Sequence, residues 1–345
     1  MNIDVLCNDG SPLGVTMRDL WGDGDRGIGV GGSEYALLTM CEAWNNAGHR
    51  VRLYNNPTNP RNSEFGQFPV STFQALDDSR DVLITFRSPN EKSIVSTGLK
   101  VWWSCDQYTV GDYAKFAPYM DKIVCISEFH VNHFRKSYDI QNAIPIDLPV
   151  RTQDLTEEVE KVPYRLIFTS VPDRGLKYLR DAWGRIKLDV PEASLVITSD
   201  YRLWGLPDAR NEKFRSSWIG LDGVQFLGAV RRERLIREQL KADIYAYPNI
   251  YDELFCVSCA EAQACGAYPV TSMFGALKTT NMGKIVKGDP RDGRSAFMKY
   301  FREGIIELLG NRNLLVENQR EIRRKATERF GVDNIVKQWD EKVFS

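Results

Sequence analysis

Apolar runs of strand length alternate along the chain with longer segments in which apolar residues recur at helical spacing, the pattern of parallel α/β domains. In the first half the predicted strands are 4–7, 50–54, 82–86, 101–104 and 123–126. A helix is predicted over 33–47, with Ser33 as N-cap and Gly48 as its stop, and a second over 128–138 behind Ser127. A polar, charge-dense stretch between Pro149 and Pro163 then reads as a connection between domains. Beyond it the alternation restarts, with strands at 165–170, 194–198, 224–227, 244–248 and 268–272. Helices are predicted at 176–188, at 231–240 and around Glu261, and the tail from Ser295 onward is helical by pattern and charge.

With 345 residues, 43% of them hydrophobic, the chain exceeds what one core usually organises, so two domains are expected. Lys plus Arg number 45 and Asp plus Glu 46, so no global field favours nucleic acid or an anionic membrane. An odd count of seven scattered cysteines argues against a disulfide framework and for a reducing compartment. Cys256, Cys259 and Cys265 lack a second ligand pair at zinc spacing. The short apolar run 3–7 has neither a basic flank nor the length of a signal segment, and no stretch approaches the roughly 18–20 apolar residues of a membrane span. A soluble, cytoplasmic protein is expected.

The densest chemistry lies in 253–270, Glu-Leu-Phe-Cys-Val-Ser-Cys-Ala-Glu-Ala-Gln-Ala-Cys-Gly-Ala-Tyr-Pro-Val. Two carboxylates, Glu253 and Glu261, bracket a turn of small residues that opens a helix. Backbone N–H groups at a helix start favour a diphosphate. A carboxylate a turn or two further on can accept hydrogen bonds from vicinal sugar hydroxyls. A purely structural reading competes: 261–264 as the edge of an amphipathic helix and Gly266 as its left-handed cap.

The whole string resembles the Glu-x7-Glu signature of the retaining glycosyltransferases of family 4. The resemblance rests on both carboxylates, Phe255, Glu261-Ala262, Cys265-Gly266 and Pro269-Val270. It implies the α/β GT-B fold, in which two Rossmann-like domains face each other across a cleft and a C-terminal helix crosses back to the N-terminal domain. The corresponding division here is 1–150 for the N-terminal acceptor-side domain, 151–328 for the nucleotide-sugar-binding domain and 329–345 for the crossover helix. Phe330-Gly331-Val332, followed by Ile335 and Trp339, resembles that crossover.

Gly27-Ile28-Gly29-Val30-Gly31-Gly32-Ser33-Glu34 could cradle phosphate or an acceptor through close backbone approach. An NAD-type turn would also be glycine-rich. Here, however, the glycines follow the first strand at a distance, and Asn55-Asn56 stands where such a fold places an acid. Gly31 and Gly32 fall in a string that resembles the family's Gly-Gly-x-Glu loop. The segment 169–176 closes the first strand of the second domain, and its Arg174 could neutralise a diphosphate. Arg174-Gly175 resembles the family's Lys-Gly, while no Arg stands at the family's other cationic position; Lys177, one turn on, could compensate or point at solvent. After 101–104 the family carries His-Asp, and this chain has Cys105-Asp106, so a thiol replaces the histidine and Asp106 remains a contact candidate or a turn cap. His130 and His133 could share a metal on one helix face but lack a third ligand nearby, and Trp102, Trp103 and Trp183 read as packing.

The resemblance implies transfer of a hexose from a nucleoside diphosphate sugar, UDP-glucose being the commonest donor, with retention and without metal or other cofactor. Arg174, Glu253 and Asp106 are the expected catalytic residues. Gly31, Gly32, Arg174, Lys177, Glu253, Phe255, Cys256, Val257 and Glu261 are the expected donor contacts, with Glu253 on the hexose C3 and C4 hydroxyls and Glu261 on the ribose. Two other functions stay open. One is a transferase acting on modified bases in DNA, for which 231–234 and 323–325 offer arginines and a lysine; the other is a catalytically silent nucleotide-sugar-binding protein.

Overall fold

Each long apolar run becomes a parallel strand in the computed structural model, which describes residues 1–7, 14–21, 30–105, 112–204 and 209–345. The first sheet has the order β3-β2-β1-β4-β5-β6-β7, every pair parallel. Its strands are β1 (Asn2–Leu6), β2 (Arg50–Tyr54), β3 (Gly66–Phe68), β4 (Val82–Phe86), β5 (Leu99–Ser104), β6 (Lys122–Cys125) and β7 (Ala143–Pro145). β4 is buried at all five positions, which is why it reads as an unbroken apolar run and not as an alternation. The longer helices of this half are α1 (Gly32–Asn46) and α2 (Glu128–Tyr138). Ser127 caps α2 as expected, its hydroxyl accepting from His130 N–H. Ser33 is not a cap, because α1 begins one residue earlier.

The second sheet has the order β10-β9-β8-β11-β12-β13, again all parallel. It comprises β8 (Arg165–Phe168), β9 (Ser194–Ile197), β10 (Val224–Phe226), β11 (Ile244–Tyr247), β12 (Tyr268–Ser272) and β13 (Lys284–Val286). Around it lie α3 (Leu176–Asp189), α4 (Arg232–Lys241), α5 (Val257–Ala264), α6 (Phe297–Gly310) and α7 (Arg312–Phe330). Its core joins Leu166, Phe168, Trp183, Leu195, Tyr245 and Phe301. α8 (Val332–Trp339) follows Gly331. The three strands not expected from the sequence, β3, β7 and β13, are three residues each and lie at sheet edges, where little apolar patterning is needed.

The chain divides into two compact units: residues 1–19, 33–149 and 332–345, and residues 20–32 and 150–331. In the first unit, α8 buries Val332, Ile335 and Trp339, and the Trp339 ring meets Trp44 of α1 at 5.1 Å and Trp103 of β5 at 5.2 Å, both edge-on. In the second, the charged segment read as a connection is tied down. Lys161 donates to the carbonyls of Leu240 at 3.1 Å and Ala242 at 2.7 Å, beside the end of α4.

Candidate functional site

In the second sheet the strand order reverses between β8 and β11, and an open parallel sheet binds ligands beyond the carboxyl ends of the strands at such a point. The two loops that leave there are held together by an absence. Gly175 has φ 103°, and a Cβ on it would lie 2.1 Å from the carbonyl oxygen of Pro248, just after β11. Glycine alone lets the β8 loop lie this close to the end of β11. The result is that Arg174 reaches the residues following β11: its guanidinium stacks 3.3 Å from the centroid of Tyr251, and Nη1 lies 3.9 Å from Glu253 Oε1.

Glu253 is fixed from several sides. The Tyr247 hydroxyl donates to Oε1 at 2.8 Å and lies 3.3 Å from Ser170 Oγ. The Glu253 carbonyl accepts from Ala276 N–H at 2.6 Å, and a Cβ on Gly275 (φ 59°) would lie 2.2 Å from that carbonyl oxygen. Burial acts against the charge on Arg174, but Glu253, Tyr247 and Tyr251 outweigh it and hold the guanidinium above its ordinary value. Burial, with Glu253 adding to it, pushes the Tyr247 phenol well above its ordinary range, so the hydroxyl remains a donor.

Two residues beyond Leu254 the chain enters α5. Cys256 caps it in the left-handed region, φ 78° and ψ 75°, a costly conformation for a residue with a Cβ. The first helical bonds run from Cys259 and Ala260 N–H to the Cys256 carbonyl, so the N–H groups of Cys256, Val257 and Ser258 precede the intrahelical ladder. The Phe255 side chain is buried edge-on against Phe330, so Phe255 anchors the turn instead of lining it. Glu261 is buried and forms a salt bridge with Arg232 of α4, which reaches both carboxylate oxygens. The helix ends as expected at Gly266, φ 74°, with Ala267 N–H bonded to the Ala262 carbonyl.

The structure thus brings Arg174 and Glu253 together and sets Cys256 and Val257 in the turn that follows. Lys177 lies exposed in the first turn of α3. Gly32 belongs to the second unit, and a Cβ there would meet the Val257 side chain at 3.1 Å, with Gly31 preceding it. In the first unit, whose sheet reverses between β1 and β4, Glu34 of α1 forms an ion pair with Arg87, the residue after β4. Cys105 is buried at the end of β5, while Asp106 and 27–29 lie outside the described residues. His130 is buried, its Nδ1 accepting from Ile126 N–H at 3.3 Å, and His133 lies 3.5 Å from Ser137 Oγ, so each has its own packing role. Among the described residues no group of three or more His, Cys, Asp or Glu is placed to hold a metal ion.

Four site residues are not singled out by the sequence: Tyr247 falls inside a predicted strand and Arg232 in a basic string, while Tyr251 and Arg87 belong to no motif. The available signal was position: Tyr247 and Arg87 stand at carboxyl ends of central strands.

Residues 167–287 match the family model described as glycosyl transferases group 1. That span contains Arg174, Tyr247, Glu253 and Glu261. The full chain is similar to HepE of Anabaena in a structure with UDP-glucose, at 13% identity and a TM-score of 0.71, covering 100% of this chain and 99% of that one. It is also similar to sucrose-phosphate synthase of Thermosynechococcus elongatus, at 14% identity and a TM-score of 0.68, covering 99% and 97%. WaaG, a glycosyltransferase involved in lipopolysaccharide biosynthesis, gives 13% identity and a TM-score of 0.65, with complete coverage of both chains. The chain has the GT-B fold. No protein with a curated description matches the sequence. Within this fold the Arg174–Glu253 cluster and the start of α5 all belong to the second Rossmann-like unit.

Proposed function

We propose that the protein is a retaining, metal-independent glycosyltransferase that moves a hexose from a nucleoside diphosphate sugar, with UDP-glucose the first choice, to a hydroxyl acceptor. The observation that carries this reading is the convergence of Arg174, Tyr251 and Glu253 at the reversal point of the second sheet, in the chain that leads into α5, whose first N–H groups precede its helical bonds. Support also comes from the family match over this region and from the UDP-glucose bound by HepE.

Breaking the anomeric C–O bond builds negative charge on the leaving diphosphate and positive character on the sugar, so the site's main task is charge stabilisation. Arg174 and the N–H groups of Cys256 and Val257 would take the diphosphate charge. Glu253 would accept hydrogen bonds from hexose hydroxyls. A carboxylate whose Oε1 receives the Tyr247 hydroxyl and faces a guanidinium is held in place and made less nucleophilic, which suits orientation better than attack, and its other acceptor sites serve the sugar. Glu261, its carboxylate aimed by Arg232, would hold the ribose. Gly31 and Gly32 would let the donor approach closely, Lys177 would extend toward the diphosphate from α3, and Asp106 would serve on the acceptor side. A cytoplasmic location belongs to the same reading; among the described residues no helix is long and apolar enough to cross a membrane.

The DNA-directed alternative has less support, because the arginines it would use are engaged internally. Arg231 donates to the Trp21 carbonyl, Arg232 and Arg234 pair with Glu261 and Glu238, and Arg324 pairs with Glu321 and Glu328. The deciding experiment is calorimetry with UDP, GDP, ADP and dTDP, followed by NMR of donor hydrolysis without acceptor. The proposal expects selective binding of one diphosphate and slow release of the sugar with its starting anomeric configuration. Failure to bind any of the four, or an inverted product, would overturn it, and binding without hydrolysis would indicate a silent binding protein.

A further inference from the structure

We propose that Cys256 and Cys259 form a redox-active dithiol that closes to a disulfide at the mouth of α5. The pair occupies the N-cap and the third helical position, a Cys-x-x-Cys string across a helix start. Cys259 N–H donates to the Cys256 carbonyl at 3.1 Å, which fixes the two residues across one tight turn. A disulfide needs Cβ atoms about 3.5–4.5 Å apart, and the left-handed turn at Cys256, outside the helix proper, is the joint that would bring them to it. Cys256 Sγ lies 3.6 Å from Ser258 Oγ, and Cys259 Sγ accepts from Gln263 Nε2 at 3.7 Å.

The division of labour follows from exposure and electrostatics. Cys256 is 8% exposed and sits at the positive end of α5, where the first cysteine of such a pair attacks, whereas Cys259 is fully buried and stands behind it. All seven cysteines are buried and none forms a disulfide. Burial pushes Cys41, Cys125, Cys259 and Cys265 up, so none of these four opens the reaction at neutral pH, and Cys259 acts only as the second, intramolecular attacker. The left-handed backbone of Cys256 adds a second unusual feature at the same residue, strain held at one point of the fold.

With a low-molecular-weight disulfide as oxidant, the Cys256 thiolate attacks one sulfur, forming a mixed disulfide and releasing one thiolate. Cys259 then gives up its proton and attacks the Cys256 sulfur, expelling the second thiolate. Both thiol protons end on the two released thiols, the protein loses two hydrogens and the oxidant is reduced. Closure draws the Cys256 side chain toward the helix axis and turns the N-cap peptide. The effect of that movement on diphosphate binding rests on the function proposed above; the bond itself does not.

The test treats the folded full chain with oxidised glutathione, follows intact mass, and places the bond by fragmenting the tryptic peptide 242–278. The expected result is loss of two hydrogens, a Cys256–Cys259 link, full reversal by dithiothreitol and at least tenfold weaker nucleoside diphosphate binding. Cys259→Ala should instead keep one glutathione on Cys256, trapping the mixed disulfide. Seven unmodified thiols, or a bond to Cys265, would overturn the dithiol. A reversible link that leaves diphosphate affinity unchanged would overturn its effect on the site. A reversible link in a protein that binds no diphosphate even when reduced would defeat the transferase reading and leave the dithiol standing.

Discussion

The hydroxyl of Tyr247 lies 2.8 Å from Glu253 Oε1, so a strand end of the second sheet aims this carboxylate. Tyr247 is fully buried and keeps its proton. Tyr247→Phe should leave the fold intact and lower turnover of the sugar donor about 10- to 100-fold, the worth of a hydrogen bond to a charged acceptor. Affinity for the bare nucleoside diphosphate should not change. Wild-type turnover in steady-state kinetics would remove Glu253 orientation from the mechanism.

Gly175 and Gly184 make a matched pair for a backbone test. Gly175→Ala forces a Cβ into the Pro248 carbonyl at a positive φ, whereas Gly184, within α3, has no heavy atom within 4 Å of a Cβ. Urea denaturation should show Gly175→Ala destabilised by more than about 1–2 kcal/mol. Gly184→Ala should be stabilised by roughly 0.5–1 kcal/mol. Equal stability of the two variants would mean the β8 loop is not held by close approach.

The Arg232–Glu261 pair is nearly buried, with side-chain exposures of 12% and 7%. Removing either partner strands the other's charge, while replacing both removes the problem. In a double-mutant cycle of Arg232→Met and Glu261→Gln, the coupling should exceed about 1 kcal/mol. Each single variant should also weaken nucleoside diphosphate binding. Additive effects would show that the two side chains act independently.

Stability should fall as pH rises above 9. The thiols of Cys41, Cys125, Cys259 and Cys265 are all pushed up by burial, Cys265 to about 12, from an ordinary value of 9.0. Above pH 9 the unfolded chain loses protons that the native state keeps, so the stability present below that pH drains away toward the native values. Lys161 opposes this. Burial lowers its ammonium from 10.5 to about 8, so its contribution rises between pH 8 and 10.5. Four thiols outweigh one amine, and chemical denaturation in reductant at pH 8, 9 and 10 should show a net fall, steeper in Lys161→Met. A flat profile would contradict it.

The alternation of apolar runs determined much of the fold: β2, β4 and β12 lie where the sequence predicts them, and β4, buried at all five positions, shows the reason, since a strand covered on both faces is largely apolar. Ser127 and Gly266 marked helix ends through local chemistry that requires no partner from elsewhere. Short edge strands left no such trace. The pairings of the site were also hidden, since Glu253 with Tyr247, Arg174 with Tyr251 and Glu261 with Arg232 join residues whose neighbourhood depends on the order of strands in the sheet. Periodicity encodes which face of an element is buried, and so the sequence could name the acids and the arginine. Which donor aims each acid is set by strand order and by the glycines that let two loops touch, and tertiary structure alone decided that.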